Sequence, residues 1–126
     1  MKTTKMALRL SIFVGEGDIW HHKPTYVEIV HRAHHAGLAG ASVLRGVEGY
    51  GATSRIHTQH AFRLSDDLPL LIVIVDSAEK VRSFLSQLDD LGLSGPVVVD
   101  EAEMIRYAEP APRQSHWWSA SQSGPG

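Results

Sequence analysis

The sequence contains no cysteine, which excludes disulfides, thiolate metal sites and cysteine nucleophiles. It also has no large excess of charge of either sign. The formal net charge is −2 at pH 7, so general binding to nucleic acid or to an acidic membrane is not expected. Long hydrophobic runs are missing as well, because the longest one, Leu68–Val75, is far too short to span a bilayer. Any site for an anion must therefore be local.

Motifs typical of a leader peptide or of a hydrolytic enzyme are missing too. Lys2 and Lys5 precede apolar residues, but Arg9 interrupts the apolar run and no small-residue cleavage site follows. The sequence has no Ser-His-Asp spacing, P-loop or HExxH motif. We therefore expect a cytoplasmic, unprocessed protein that is not an enzyme and requires no cofactor.

What the chain does contain is a pattern of short strands and amphipathic helices. Alternation of apolar and polar residues predicts a half-buried strand, and apolar residues at helical spacing predict two helices. Gly37 is expected to end the first helix, and Asp76 with Glu79 to form a capping box at the start of the second. The predicted elements are strands over Met6–Val14, Ala41–Glu48, Leu68–Val75 and Val97–Val99 with a continuation over Glu103–Tyr107, and helices over Pro24–Ala36 and from Asp76 to Gly92.

This order, βαββαβ, predicts an α/β (α+β) ferredoxin-like sandwich with an antiparallel four-stranded sheet and two helices on one face. The domain is expected to span residues 1–108, and the Pro-, Ser- and Gly-rich residues 109–126 to form a disordered tail. Two helices cover only one face of such a sheet. The continuous apolar run of the third strand and Phe13 on the first strand imply that something covers the other face. We predict that another copy of the chain does so.

The most informative segment follows the second predicted strand. Gly49, Tyr50 and Gly51 open a polar stretch that carries Arg55 and His57 before the next strand begins. A long insert between neighbouring strands is usually functional or disordered. Glycines let the backbone approach a ligand closely, and cations suit an anion. The segment is therefore a candidate anion site, although the glycines also fit a simple bend and the cations a solvated loop.

The eight histidines suggest a second kind of site. His31 and His35 lie one helical turn apart, opposite the apolar stripe of the first helix and near Glu28. Two such imidazoles can share a metal ion. A solvated polar helix face explains the same positions, so both interpretations remain open.

The chain resembles the PII signalling proteins and their CutA-like relatives, and most of all the PII-like family known as domain of unknown function 190. The resemblance covers most of residues 6–107 and is carried by HHKPTYVEIVHRAHHAGLAGASVLRGVEGYGATSRIHT, LSDDLPLLIVIVDSAEKV and VVVDEAEMIRY. It implies a homotrimer that binds a small anionic ligand, such as an adenine nucleotide, in clefts between subunits. It also implies a long loop that docks a partner, for which the resemblance suggests a membrane transporter or exporter. The CutA-like alternative implies a metal-binding trimer.

Individual residues match the PII pattern only in part. Gly49, Tyr50 and Gly51 match the GFG that wraps the nucleotide in PII proteins, and Arg106 matches the first of two phosphate-binding arginines on the last strand. The other polar residues of the PII clamp are replaced by Ala52, Thr53, Gly95 and Ala108. The resemblance therefore implies a reduced phosphate clamp, and the expected ligand-binding set is Gly49, Tyr50, Gly51, Arg55, His57 and Arg106.

Overall fold

The structure, a computed structural model, describes residues 2–50, 57–58 and 68–107. The predicted tail lies outside these ranges, as do Gly51 and Arg55. The strands are β1 (Thr3–Gly15), β2 (Ile19–Trp20), β3 (Lys23–Pro24), β4 (Ser42–Arg45), β5 (Glu48–Gly49), β6 (His57–Thr58), β7 (Pro69–Asp76) and β8 (Val97–Arg106). The helices are α1 (Thr25–His35) and α2 (Ala78–Leu85), and a 3₁₀ helix over Ser86–Leu91 continues α2.

Four strands form one antiparallel sheet in the order β4-β7-β1-β8. Both helices pack against the same face of this sheet. The predicted ferredoxin-like arrangement of one sheet and two helices is therefore confirmed. The last strand is longer than predicted, because Val97–Arg106 is continuous where the sequence suggested two pieces.

The core lies between the helices and alternate residues of the two central strands. On β1 and β7 the even-numbered side chains turn towards the helices, as the two-residue period of a strand requires. These side chains exclude water almost completely, as do their partners on the helices. The most deeply buried members are Leu10, Ile12, Ile72, Ile74, Ile29, Val81 and Phe84.

The end of α1 confirms the predicted role of Gly37. This glycine has φ +80°, a left-handed conformation that costs glycine little. Its N–H donates to the carbonyl of His34, and the N–H of Leu38 donates to the carbonyl of Ala33. These two bonds form a Schellman motif, which satisfies carbonyls that a helix end otherwise leaves unpaired.

The predicted start of α2 is wrong by one residue. Ser77, not Asp76, is the N-cap, and its hydroxyl accepts a hydrogen bond from the N–H of Lys80. Glu79 is then one position too early to complete a capping box. Asp76 ends β7 instead, and its carboxylate accepts hydrogen bonds from the N–H groups of Ser77 and Ala39.

Two further segments differ from the prediction. The second strand, predicted over Ala41–Glu48, is interrupted after Arg45, and the chain bends at Val47 before β5 begins. The segment between β1 and α1, where the sequence predicted no strand, contains a hairpin of β2 and β3. The turn of this hairpin places His21 and His22 at φ +47° and +67°. Hairpin turns with two positive φ angles usually have the sequence Asn-Gly.

Candidate functional site

The predicted anion segment starts at one end of the sheet. We call residues 46–50 the loop base. Its strand β5 pairs with β6, so that Glu48 lies opposite Thr58 and Gly49 opposite His57. A Cβ atom on Gly49 would lie 3.1 Å from Cγ of Pro69, and one on Gly46 only 2.8 Å away. These glycines therefore let the backbone pack against Pro69, which favours the simple structural role for Gly49.

Polar contacts fix the neighbourhood of the loop base. The N–H of Gly46 donates to the carbonyl of Pro69 at 2.7 Å, and the N–H of Glu16 donates to the carbonyl of Leu68 at 2.8 Å. Arg45 forms an ion pair with Glu16 of the same chain. Tyr50, the last residue of the loop base, is 72% exposed. Its ring is therefore available to a ligand or a partner.

Arg106 lies far from the loop base. It is the last residue of β8 and faces Thr3, whereas Pro69 faces Gly15. Thr3 and Gly15 are the two ends of the thirteen-residue strand β1, which at about 3.3 Å per residue separates them by roughly 40 Å. One chain therefore does not bring Arg106 together with Gly49 and Tyr50. Arg106 is exposed and forms no ion pair with any residue that the structure describes.

Three members of the expected ligand set are not described in full. Gly51 and Arg55 lie outside the described residues, and of His57 only the backbone pairing with Gly49 is described. Their assignment as ligand-binding residues stays a prediction.

The face of the sheet opposite the helices carries an uncovered apolar patch. We call this the open face. Cross-strand partners share a face, so the register places Leu44, Leu71 and Phe13 in one row across the sheet. The next row contains Val73 and Val98 with two serines, Ser11 and Ser42. Leu44, Phe13 and Val98 are exposed in the single chain. This is the surface that the sequence predicted another copy would cover.

A charged network on the helix side was not predicted from the sequence. Nε of Arg32 donates to Glu28 at 2.7 Å, while Nη1 donates both to Asp90 at 2.6 Å and to the carbonyl of Gln87 at 2.7 Å. The guanidinium carbon lies 4.8 Å from the ring centroid of Trp20, whose Nε1 donates to the carbonyl of Asp90. The Glu28–Arg32 spacing is a sequence signal for part of this network.

The pKa values of the groups in this network shift in the directions that its contacts require. Hydrogen bonds from Arg32 and Lys23 lower the pKa of Glu28, and the hydrogen bond from Arg32 lowers that of Asp90. Hydrogen bonds to the same carboxylates, Asp90 first, raise the pKa of Arg32. All three groups therefore remain charged at neutral pH. The network ties α1, the hairpin and the 3₁₀ helix together, and its satisfied charges indicate a structural role.

The metal alternative gains no support from this geometry. His31 and His35 are exposed, but Glu28, the carboxylate expected near them, is bound by Lys23 and Arg32. Within residues 2–50 and 68–107 no three His, Asp or Glu side chains are placed to hold a metal ion. In the same part of the chain no helix has the length and apolarity that a membrane span requires.

In a comparison with known protein families, residues 7–104 match the family DUF190, described as "Uncharacterized ACR, COG1993". A UPF0166 protein of Aquifex aeolicus is 34% identical over 105 residues, which cover 83% of this chain and 98% of that protein. A UPF0166 protein of Methanocaldococcus jannaschii is also 34% identical, over 77% of this chain and 90% of its own length.

Solved structures with the same fold are PII-like proteins. The apo form of CPII from Thiomonas intermedia K12, a nitrogen regulatory PII-like protein, has a TM-score of 0.59 at 16% identity and covers 84% of this chain and 99% of its own. CPII bound to ADP, AMP and bicarbonate has a TM-score of 0.58 at 19% identity, over 84% and 92% of the two chains. At these identities the likeness concerns the fold.

Proposed function

This chain belongs to the DUF190 family, and from that premise we propose that it is a PII-like regulatory protein. It binds a small anionic ligand, in the first instance an adenine nucleotide, in clefts between the subunits of a homotrimer. It acts as a sensor and not as an enzyme. Ligand binding changes how the segment between β5 and β7 docks a partner, and a membrane transporter or exporter is the partner class that the resemblance suggests.

The observation that carries the proposal is the position of Arg106 relative to the loop base. The two lie at opposite ends of one sheet, so Arg106 does not reach the loop base of its own chain, and the proposal assigns this role to Arg106 of a neighbouring subunit. Arg106 is exposed and has no carboxylate partner among the described residues. Its charge is therefore available for a phosphate of a bound nucleotide.

The uncovered part of the open face supports the proposed assembly. Monomeric proteins rarely expose contiguous apolar patches, and a face rimmed by polar residues is typical of a protein interface. In a cyclic trimer each interface is heterologous, so one part of this face on a subunit packs against a different part on its neighbour. The proposal requires that the same assembly bring the β8 end of one subunit to the loop base of the next.

The fold neighbours support the choice of ligand class. CPII, which shares the fold, has been crystallised with ADP and AMP. In this chain Arg106 is the only arginine that matches the PII phosphate clamp, since Ala108 replaces the second one. A ligand with fewer phosphates than ATP therefore fits this chain better.

Isothermal titration calorimetry with AMP, ADP and ATP tests the proposal. A charge-assisted hydrogen bond to phosphate contributes about 1.5–3 kcal/mol, so Arg106→Ala should weaken nucleotide binding roughly ten- to a hundredfold. Arg82→Ala removes an exposed arginine from α2 and serves as the matched control, with unchanged affinity expected. Normal affinity of the Arg106→Ala protein, or no binding of any nucleotide by the wild type, would contradict the proposed site.

A further inference from the structure

An ion pair interrupts the apolar character of the open face. Arg9 lies on β1, directly opposite Asp100 on β8 and Val75 on β7. It shares its face with Ser11 and Phe13, because these residues follow it at intervals of two along the strand. The pair therefore borders the apolar rows that the proposed trimer covers.

The pair uses only part of its hydrogen-bonding capacity. Nε of Arg9 donates to Oδ1 of Asp100 at 3.2 Å, and Nη2 donates to Oδ2 at 2.5 Å. A guanidinium carries five N–H donors, and each carboxylate oxygen accepts more than one hydrogen bond. Nη1 of Arg9 has no acceptor among the residues that the structure describes. In the single chain the two side chains are 50% and 42% exposed, so their remaining donors and acceptors are open to water.

Covering the open face removes that water. An ion pair taken out of water is costly unless its remaining donors and acceptors find partners. Near it the open face offers mainly valine side chains and the hydroxyls of Ser11 and Ser42. A second copy of the same pair supplies both missing groups at once, a carboxylate for the guanidinium and a guanidinium for the carboxylate.

We propose that Arg9 of each subunit also bonds Asp100 of the next subunit, so that the pairs form a ring of alternating charges in the trimer. The inference rests on the proposed assembly. It adds that the charged pairs determine how neighbouring subunits align. A neighbour that is shifted or rotated would leave a buried charge without a partner, which disfavours incorrect packings. The arginine and the aspartate are then specificity-determining residues of the assembly.

Mixing two like-charged variants separates contacts within a subunit from contacts between subunits. Arg9→Asp gives a chain with two anions at the site, and Asp100→Arg gives a chain with two cations. Neither repairs its own pair, but each complements the other across an interface, so that a trimer containing both chains carries opposite charges at two of its three interfaces. Native mass spectrometry measures the assembly of each variant alone and of an equimolar co-expressed mixture. We expect each variant alone to assemble at least about tenfold more weakly than wild type, and the mixture to form trimers containing both chains.

Wild-type protein and charge-matched variants on the helix side complete the experiment. Arg82→Asp and Asp89→Arg make the same charge changes at exposed positions away from the open face, and they should assemble normally. If a like-charged variant does not fold alone, Arg9→Gln and Asp100→Asn replace it, each with about tenfold weaker assembly expected. If wild type forms trimers but the mixture does not rescue assembly, the proposed ring of charges is wrong while the trimer stands. The same holds if wild type forms trimers and both neutral variants assemble normally. A monomeric wild type overturns the proposed trimer itself.

Discussion

The two faces of the central sheet contain similar side chains but differ in what covers them. Ile72 and Val73 are neighbours on β7, yet Ile72 is fully buried under the helices whereas Val73 lies half-buried on the open face. A strand turns successive side chains to opposite faces, so one position decides between the two environments. The comparison teaches that this chain completes the helix face by itself, while it leaves the open face uncovered, and we propose that a neighbouring copy covers that face.

The largest expected effect is loss of assembly when a charge enters the open face. Val73→Asp or Leu71→Asp would place a carboxylate without a partner among apolar side chains of the next subunit. We expect monomers at micromolar protein concentration by light scattering. Val73→Thr, similar in shape, is the milder control and should leave some trimer. A Val73→Asp protein that remains trimeric would show that this face is not the interface.

Truncation on the helix face should destabilise the chain itself. Ile72→Ala removes a fully buried side chain between the sheet and the helices, and such a change typically costs about 2–5 kcal/mol in the free energy of unfolding. Urea unfolding at a fixed protein concentration measures the difference, because assembly contributes to apparent stability. A loss smaller than that caused by Val73→Ala under the same conditions would remove the distinction between the two faces.

The network around Arg32 should give the next largest effect. Arg32→Ala leaves Glu28 and Asp90 without their main partner and should cost about 1.5–3 kcal/mol, the usual contribution of hydrogen bonds to a charged group. The exposed Arg82→Ala is again the control. Equal stability of the two variants in urea unfolding would mean that the network contributes little.

The same network predicts a dependence of stability on pH. Arg32 lowers the pKa values of Glu28 and Asp90 in the folded protein. A lowered folded-state pKa stabilises the fold above the unfolded-state value, which is about 4 for these carboxyl groups, and this stabilisation is lost as the pH falls through the folded-state value. The melting temperature of the wild type should therefore fall from about pH 5 downwards. The fall should be shallower in Arg32→Ala.

Much of the fold could be predicted because one local signal dominates each element. The alternation along β1, the stripe of α1 and the glycine after it all agreed with the structure. The start of α2 was ambiguous, because Asp76 and Ser77 are both good caps and only the bond to Lys80 decides between them. The hairpin at His21 and His22 was missed because its turn lacks the Asn-Gly signal.

The sequence could name candidate site residues, but it could not predict where they lie relative to one another. Gly49 and Arg106 were singled out by the resemblance, which carries no information on the register of the strands in this chain. The register places them at opposite ends of β1, so one chain alone does not bring them together, and the proposed site takes them from neighbouring subunits. Gly49 was ambiguous for another reason. Its closeness to Pro69, which begins a strand far along the chain, depends on tertiary packing that no local pattern records.

The smallest expected effect is at the exposed histidines of α1. His31 and His35 are solvated, and Glu28 beside them is bound by Lys23 and Arg32. Replacing both histidines by alanine should change the free energy of unfolding by no more than about 0.5 kcal/mol, as is usual for surface positions. Nucleotide affinity should be unchanged, in contrast to Arg106→Ala.

Melting curves with and without Zn²⁺ provide the control, because a metal that binds only the folded state raises its melting temperature. A rise in the wild type that the double variant abolishes would favour the metal-binding alternative, in which the helix surface and not the sheet carries the site.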